Sequence, residues 1–190
     1  MAASKRPSSL KYGVPGIGQE DARMVIDLLQ DRLNSLNDLA LTLKHIHWNV
    51  VGPNFIAVHT MLDPQVDAVR LMADETAERI ATLGGSPSGT PGSLVAARSW
   101  DDYALGRDDA LAHMGALDLV YAGVIEAHRK AIAATEEPDP VTQDMLIGQA
   151  GQLEQYHWFV RAHLENASGA LSTRGAKTEG QAAAKAKARK

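Results

Sequence analysis

The chain has 190 residues, of which 45% are hydrophobic and 22% are charged, and this is the composition of an ordinary globular domain. It contains no cysteine, which excludes disulfide bonds, thiolate metal sites and cysteine nucleophiles. The N-terminus lacks the hydrophobic region of a secretory signal, and no run of about 18 apolar residues occurs, so we expect a cytoplasmic protein.

The net charge of −4 is unevenly distributed along the chain. Residues 1–19 carry three basic residues and no acid, and residues 169–190 carry six basic residues against one glutamate. The intervening body is therefore strongly acidic and would attract cations, whereas the two ends would attract polyanions. We divide the chain into a mobile basic N-terminal tail (1–18), a helical domain (19–168) and a mobile Lys/Arg-rich C-terminal tail (169–190).

Four long helices are predicted from apolar residues that recur at three- and four-residue steps. The first spans residues 19–49 and the second spans 55–83, and the helix-breaking sequence VVGPN separates them. The second helix ends at Gly84 and Gly85, where a glycine in the left-handed conformation can form a cap. A short helical turn is predicted at LVAARS, within the longer connection that follows.

The third helix is predicted to begin at Asp101 or Asp102 and to continue to about residue 134. Asp139 followed by Pro140 is typical of a helix start and opens the fourth helix, which we expect to reach about Asn166. These elements predict an all-α four-helix bundle with a short extra helix between the second and third helices.

Four potential metal ligands share one face of the second helix. His59 and Asp63 are four residues apart, as are Asp74 and Glu78, and the interval between the two pairs is almost a whole number of turns. His47 ends the first helix and comes beside the start of the second once the chain turns back. Imidazole and carboxylate ligands suit iron, and zinc or manganese less specifically.

One helix cannot close both pairs around a single metal ion. Asp63 and Asp74 are ~16 Å apart along the axis at about 1.5 Å per residue, whereas metal–ligand bonds are about 2 Å long. Two such helices that cross antiparallel on a two-fold axis near residues 68–69 would instead make two identical sites. Each predicted site takes His47, His59 and Asp63 from one subunit and Asp74 and Glu78 from its neighbour.

The sequence KHIHWNVVGPNFIAVHTMLD, followed by DETAERIATLGGSP, resembles the Dps family, the ferritin-like DNA-binding proteins from starved cells. The family pattern consists of His-Trp-Asn, Gly-x-x-Phe, His-x-x-x-Asp, Asp-x-x-x-Glu-Arg and Leu-Gly-Gly-x-Pro, and every element is present at the correct spacing. The later QYHWFVRAHLE is similar to the last helix of the family. The resemblance covers about residues 20–168.

The resemblance implies a ferritin-like bundle that assembles into a hollow dodecamer, with a di-iron ferroxidase centre at each two-fold interface. The five ligands named above would form that centre. It would oxidise Fe(II), preferentially with hydrogen peroxide instead of oxygen, and the ferric mineral would be stored inside the shell. The protein would thus be an oxidoreductase acting on metal ions, with roles in iron storage, detoxification and protection from oxidative stress.

Two further groups of residues are candidates for the iron chemistry. Trp48 adjoins the predicted site and could donate an electron, or could simply close the subunit interface. Glu136, Glu137, Asp139 and Asp144 cluster at the third turn, and three such turns around a three-fold axis would make an acidic funnel through which iron enters. Helix capping and solvated loop charge are the alternative for this cluster.

The C-terminal tail is basic and lacks aromatic residues, so it can neutralise phosphates but cannot stack on bases or read sequence. Its candidate DNA-binding residues are Lys177, Lys185, Lys187, Arg189 and Lys190. Twelve tails would bind double-stranded DNA multivalently, which would associate the protein with the nucleoid and condense DNA. A merely solubilising tail is the alternative. The N-terminal Lys5, Arg6 and Lys11 could contact DNA or pin neighbouring subunits together.

Three other interpretations remain open at this stage. A di-iron bundle within one chain would need two Glu-x-x-His motifs, and the sequence has one, from Glu154 to His157. A helical oligomer could bind DNA as its main role, with iron oxidation secondary. A purely structural helical oligomer would need no metal ligands at all, and oxidation of Fe(II) by peroxide would separate it from the others.

Overall fold

The computed structural model describes residue 10 and residues 13–188. Five basic residues that were assigned possible contacts with DNA lie outside the described residues, namely Lys5, Arg6, Lys11, Arg189 and Lys190. Most of the predicted N-terminal tail lies outside them as well.

The described chain is almost entirely helical. Its elements are α1 (Gln19–Asn49), β1 (Val50–Val51), α2 (Phe55–Thr82), α3 (Pro91–Ala97), β2 (Asp108–Asp109), α4 (Ala110–Thr135), α5 (Pro140–Ala162) and α6 (Glu179–Lys187). The hairpin of α1 and α2 packs with the hairpin of α4 and α5, and α3 lies in the connection between them. The predicted all-α bundle with a short additional helix is therefore confirmed.

The boundary after α2 has the cap that the glycine pair predicts. Gly84 has a φ of 90°, in the left-handed region. Its N–H donates to the carbonyl of Ala81 at 3.0 Å, and the N–H of Gly85 donates to the carbonyl of Ile80 at 2.9 Å. These two bonds satisfy carbonyls at the helix end that would otherwise lack partners.

The predicted start of the third long helix at Asp101 or Asp102 is wrong, because α4 begins at Ala110. The residues before it form a loop that is tied to α1, where Trp100 donates from its indole to a carboxylate at 2.8 Å. The side chain of Asp109 then accepts the N–H three residues ahead and caps α4. The contact with α1 thus keeps this segment in a loop, although its sequence also fits the start of a helix.

Helix α5 agrees more closely with the prediction. Asp139 caps α5 and Pro140 occupies its first turn, as predicted. The helix ends at Ala162, four residues before the predicted end at Asn166.

The bundle core is built from the apolar stripes of the four long helices. Its largest fully buried side chains are Tyr121, Leu29, Leu36, Leu39, Leu43, Ile46, Leu62, Ile80, Leu83, Met114, Leu117 and Leu146. The buried Tyr121 hydroxyl donates to Gln65 Oε1 at 2.7 Å and links α4 to α2 across the core.

Helix α4 is the one helix in the described chain that is long and apolar enough to cross a membrane by length and composition. Of its most apolar window, 56% is buried inside the fold. This burial is explained by its position, since α4 packs against both α5 and α6.

The C-terminal segment differs from the mobile tail that its composition predicts. Helix α6 packs on α4 and buries Ala182, Ala183 and Ala186. Gly115 lies beneath it, and a Cβ at this position would stand 2.6 Å from the carbonyl oxygen of Ala182. Small residues on both helices therefore let the two backbones approach closely. This close approach takes the place of the large apolar side chains that usually hold two helices together.

Candidate metal centre

His47 and His59 are held together by a reciprocal pair of hydrogen bonds. The Nδ1 of His47 lies 3.0 Å from the carbonyl oxygen of His59, and the Nδ1 of His59 lies 2.9 Å from the carbonyl oxygen of His47. Their rings stack with centroids 3.6 Å apart. Because a carbonyl only accepts, both Nδ1 atoms carry a proton, and in the neutral form of each ring Nε2 then has the lone pair that a metal requires.

The turn between α1 and α2 produces this pairing. Gly52 has a φ of 93°, and the N–H of Phe55 donates to its carbonyl at 3.0 Å, which starts α2 directly after the reversal. The strand pair β1–β2 holds the other side of the turn, with Val50 opposite Asp108. Two helical residues twelve positions apart in sequence are thereby brought into contact.

Asp63, the third ligand predicted from the same chain, lies beside His47. Its Oδ1 lies 3.3 Å from His47 Nδ1 and 2.7 Å from Lys44 Nζ. The hydrogen bond from Lys44 is the main cause that lowers the pKa of Asp63, and the nearby histidines lower it further. The carboxylate is therefore ionised well into the acid range, which is the state that binds metal.

Lys44 is a residue that the sequence reasoning missed. It lies three positions before His47, so helical spacing places both side chains on the same face of α1. That spacing was the available signal, but it does not reveal that the ammonium reaches a carboxylate on another helix.

Asp74 and Glu78 do not join this group within one chain. Both are exposed on α2, and the fifteen residues from His59 to Asp74 correspond to about 22 Å along the helix axis. Within the described residues of a single chain, no group of three or more His, Asp or Glu side chains could hold a metal ion. The chain thus carries two separate parts of the predicted ligand set.

Two aromatic residues flank the histidine pair. The ring of Phe55 is 4.9 Å from the ring of His59, centroid to centroid. Trp48 is 71% exposed, so in the isolated chain it closes nothing. Its exposure beside the histidines is compatible with either of the predicted roles, at an interface or in electron donation.

The single Glu-x-x-His motif is occupied by other contacts. His157 Nε2 lies 2.7 Å from Asp118 Oδ1, and Glu154 forms an ion pair with Arg129. The second oxygen of Asp118 accepts from Thr173 at 2.8 Å. This arrangement connects α4, α5 and the segment that leads to α6, and it gives the motif a structural role.

The acidic cluster at the third turn divides into two kinds of residue. Glu136, Glu137 and Asp144 are exposed, as a funnel would require. Asp139 is a correction, because it is 1% exposed and both of its oxygens accept from Arg79 at 2.9 and 2.8 Å. Burial tends to raise the pKa of Asp139, but the bonds from Thr142 and Arg79 outweigh this effect and lower it.

The basic residues of the C-terminal segment are partly engaged with the body. Lys177 is exposed, whereas Lys185 Nζ donates to the carbonyl of Arg174 at 2.8 Å. Lys187 Nζ lies 2.7 Å from Asp108 Oδ1. Lys185 and Lys187 therefore lie on α6, whereas Lys177 precedes it.

Comparison with known proteins agrees with this architecture. The family profile described as "Ferritin-like domain" matches residues 26–170. The "DNA protection during starvation protein" of Mycolicibacterium smegmatis is 59% identical over 176 residues, which cover 93% of this chain and 96% of the relative. The solved structure of "DpsA14 from Streptomyces coelicolor" is 63% identical with a TM-score of 0.85, and the match covers 87% of this chain and 100% of that chain.

A relative with a different description is nearly as similar. The "Fine tangled pili major subunit" of Haemophilus ducreyi is 51% identical over 158 residues, which cover 83% of this chain and 84% of the relative. Proteins described by different roles thus share this sequence pattern.

The helical bundle and the match to the family profile define a ferritin-like protein. At these levels of identity and coverage the chain belongs to the Dps family within that class. This family relation, together with the fold, associates the chain with iron storage and protection.

Proposed function

We propose that the chain is the subunit of an intersubunit ferroxidase that oxidises Fe(II), preferentially with hydrogen peroxide, and stores the ferric product inside a dodecamer. One observation carries the proposal. The reciprocal Nδ1 bonds of His47 and His59 leave both Nε2 atoms for metal binding, and the ionised Asp63 lies 3.3 Å from His47 Nδ1. A structural role for the two rings would not require this shared orientation.

In this proposal, iron is the substrate, and the protein supplies ligands and orientation. The backbone carbonyls fix the tautomer of both imidazoles before iron arrives, as outer-shell partners do in metal sites. Two Fe(II) ions give two electrons to one peroxide, which takes up two protons and leaves as water. The carboxylates of Asp63 and, from the neighbour, Asp74 and Glu78 would offset the charge gained as Fe(II) becomes Fe(III).

A mixing experiment tests whether two chains share each site. We expect His59→Ala and Glu78→Ala to slow peroxide-dependent Fe(II) oxidation strongly when each variant is assembled alone. When the two are coexpressed, random pairing makes half of the dimers mixed, and each mixed dimer keeps one intact site of two. About one quarter of the wild-type rate should therefore return, by that pairing statistic.

The matched control combines His59→Ala with Asp63→Ala. Both residues belong to the same part of the ligand set, so every site in the mixed dimer lacks one of them and no activity should return. Equal rates for the two mixtures would contradict the shared site. Full activity of the doubly substituted His59→Ala/Glu78→Ala chain would contradict the ligand assignment altogether.

We extend the proposal to the route by which iron enters, which begins at the acidic residues of the third turn. Exposed Asp144 lines the same groove as Glu78, between α2 and α5, with a volume of about 610 Å³. We propose that Glu136, Glu137 and Asp144 attract Fe(II) at the three-fold axis and that this groove leads inward. Asp139 is left out, because its carboxylate is already paired.

Sequence-independent binding of double-stranded DNA is the second proposed activity, and it would associate the protein with the nucleoid in the cytoplasm. It is supported by the net positive charge of residues 169–190 and by the exposure of Lys177 and Lys185. Glutamine substitutions at these lysines test it better than truncation does, because truncation would also uncover α4. Weaker gel retardation with unchanged iron oxidation is the expected result.

The purely structural alternative is distinguished by the same iron assay. The pili description of one relative makes that alternative worth testing. A structural oligomer would assemble normally and show no ferric product from Fe(II) and peroxide, in wild type or variants alike.

A further inference from the structure

The contact between α6 and α4 depends on very small groups. Three alanine methyls, of Ala182, Ala183 and Ala186, make the buried face of α6. Gly115 gives them room, since a Cβ there would lie 2.6 Å from the Ala182 carbonyl oxygen and 2.9 Å from the Ala186 Cβ. An isolated helix of this length is unstable in water, so α6 forms only while it stays docked.

Polar contacts complete the attachment of α6 at both ends. At its start, Glu179 Oε2 accepts the N–H of Ala104 at 2.7 Å. At its end, Lys187 pairs with Asp108, and the two side chains are 44% and 27% exposed. An ion pair with this exposure is screened by salt and contributes modestly, so the docked state is open to competition from a stronger anion.

The docked position also pairs one cation of α6 with a carboxylate. The Lys187 ammonium is neutralised by Asp108, and the hydrogen bond of Lys185 to the Arg174 carbonyl restrains a second ammonium. The other described cations of the segment, Arg174 and Lys177, are exposed as well. The positive surface of the docked helix is therefore smaller than its sequence provides.

We propose that docked α6 autoinhibits DNA binding, and that duplex DNA competes with Asp108 for Lys187 and releases the helix. This inference rests on the proposed DNA-binding activity. A phosphate and the Asp108 carboxylate cannot both take the same ammonium, so each released chain adds a phosphate contact. Release also extends the reach of the basic residues from the shell.

The first test uses two glycines of the same helix. Gly115→Ala forces α6 away from α4, whereas Gly123→Ala adds a methyl where nothing lies within 4 Å. Both changes raise helix propensity equally. We expect Gly115→Ala alone to speed hydrogen exchange of the α6 amides and to tighten binding of a 30-base-pair duplex by roughly threefold or more.

The second test removes the anchor without a steric change. Asp108→Asn deletes the charge that holds Lys187 but keeps the oxygen that accepts the N–H of Asp109. Asp31→Asn removes the same charge from an exposed position on α1. At the same salt concentration, the duplex should bind Asp108→Asn more tightly than it binds Asp31→Asn, because in Asp108→Asn no carboxylate competes with the phosphate for Lys187.

The outcomes separate the two proposals. Faster exchange of α6 in Gly115→Ala with unchanged DNA affinity overturns the autoinhibition and leaves DNA binding intact. Failure of wild type and all variants to bind the duplex overturns both, while iron oxidation is unaffected. Equal duplex affinity of Asp108→Asn and Asp31→Asn also overturns the competition for Lys187.

Discussion

At Asp63 a metal ion would have to compete with the ammonium of Lys44, which lies 2.7 Å from the carboxylate. Lys44→Met should therefore strengthen metal binding, by about twofold to fivefold for a pair this exposed. Anaerobic calorimetric titration with Fe(II) at pH 6 to 7 measures it, where Asp63 stays ionised. Lys130→Met, which breaks an exposed pair with Glu126, is the control for net charge. Unchanged or weaker binding by Lys44→Met would contradict this competition.

Asp139 makes a different contribution, to stability. Asp139→Asn keeps the cap of α5 but leaves the mostly buried Arg79 without its carboxylate partner, so the free energy of unfolding should fall by about 3 kcal/mol. The pKa of Asp139 is lowered in the folded chain, so its contribution is full above the ordinary aspartate pKa and is lost as pH falls through the lowered value.

The direction of this pKa shift determines how the destabilisation by Asp139→Asn depends on pH. The difference from wild type should stay constant between pH 7 and about 5 and shrink below about 4. Denaturant unfolding at fixed protein concentration measures it, and Asp144→Asn, at an exposed position, should change stability little. A difference that grew on acidification would refute the assignment.

At the scale of the helix, a substitution at the end of α2 tests the role of Gly84. Gly84→Ala places a side chain at a φ of 90° and should destabilise the protein by about 1 to 2 kcal/mol. Gly89→Ala, in the following loop, meets nothing within 4 Å and serves as the matched control. Thermal unfolding of both variants decides, and equal melting temperatures would show that the cap is dispensable.

The helices differ in how accurately the sequence predicts their first and last residues. The bounds of α1 and α2 follow from periodicity and from the Gly and Pro residues between them, within a residue or so. The start of α4 does not, because Asp101 and Asp109 are both suitable caps by residue type. The bond from Trp100 to Asp38 on α1 keeps the earlier segment in a loop.

For the whole molecule, the proposed assembly predicts a mass. Twelve chains of 20.3 kDa give about 240 kDa by light scattering. Glu78→Ala should keep this mass while losing iron oxidation, which separates ligand loss from assembly. A monomer that oxidises Fe(II) at the full rate would contradict the shared site.

The sequence by itself determined the bounds of α1 and α2 and the common face of the four candidate ligands on α2, and it predicts that a second chain completes the site. These follow from the pitch of one helix, which linear spacing defines. Tertiary structure decided the rest: the tautomers of His47 and His59, the contact of Lys44, the burial of Asp139 and the docking of α6. Each depends on a partner from another part of the chain, and packing, not spacing, brings such partners within hydrogen-bonding distance.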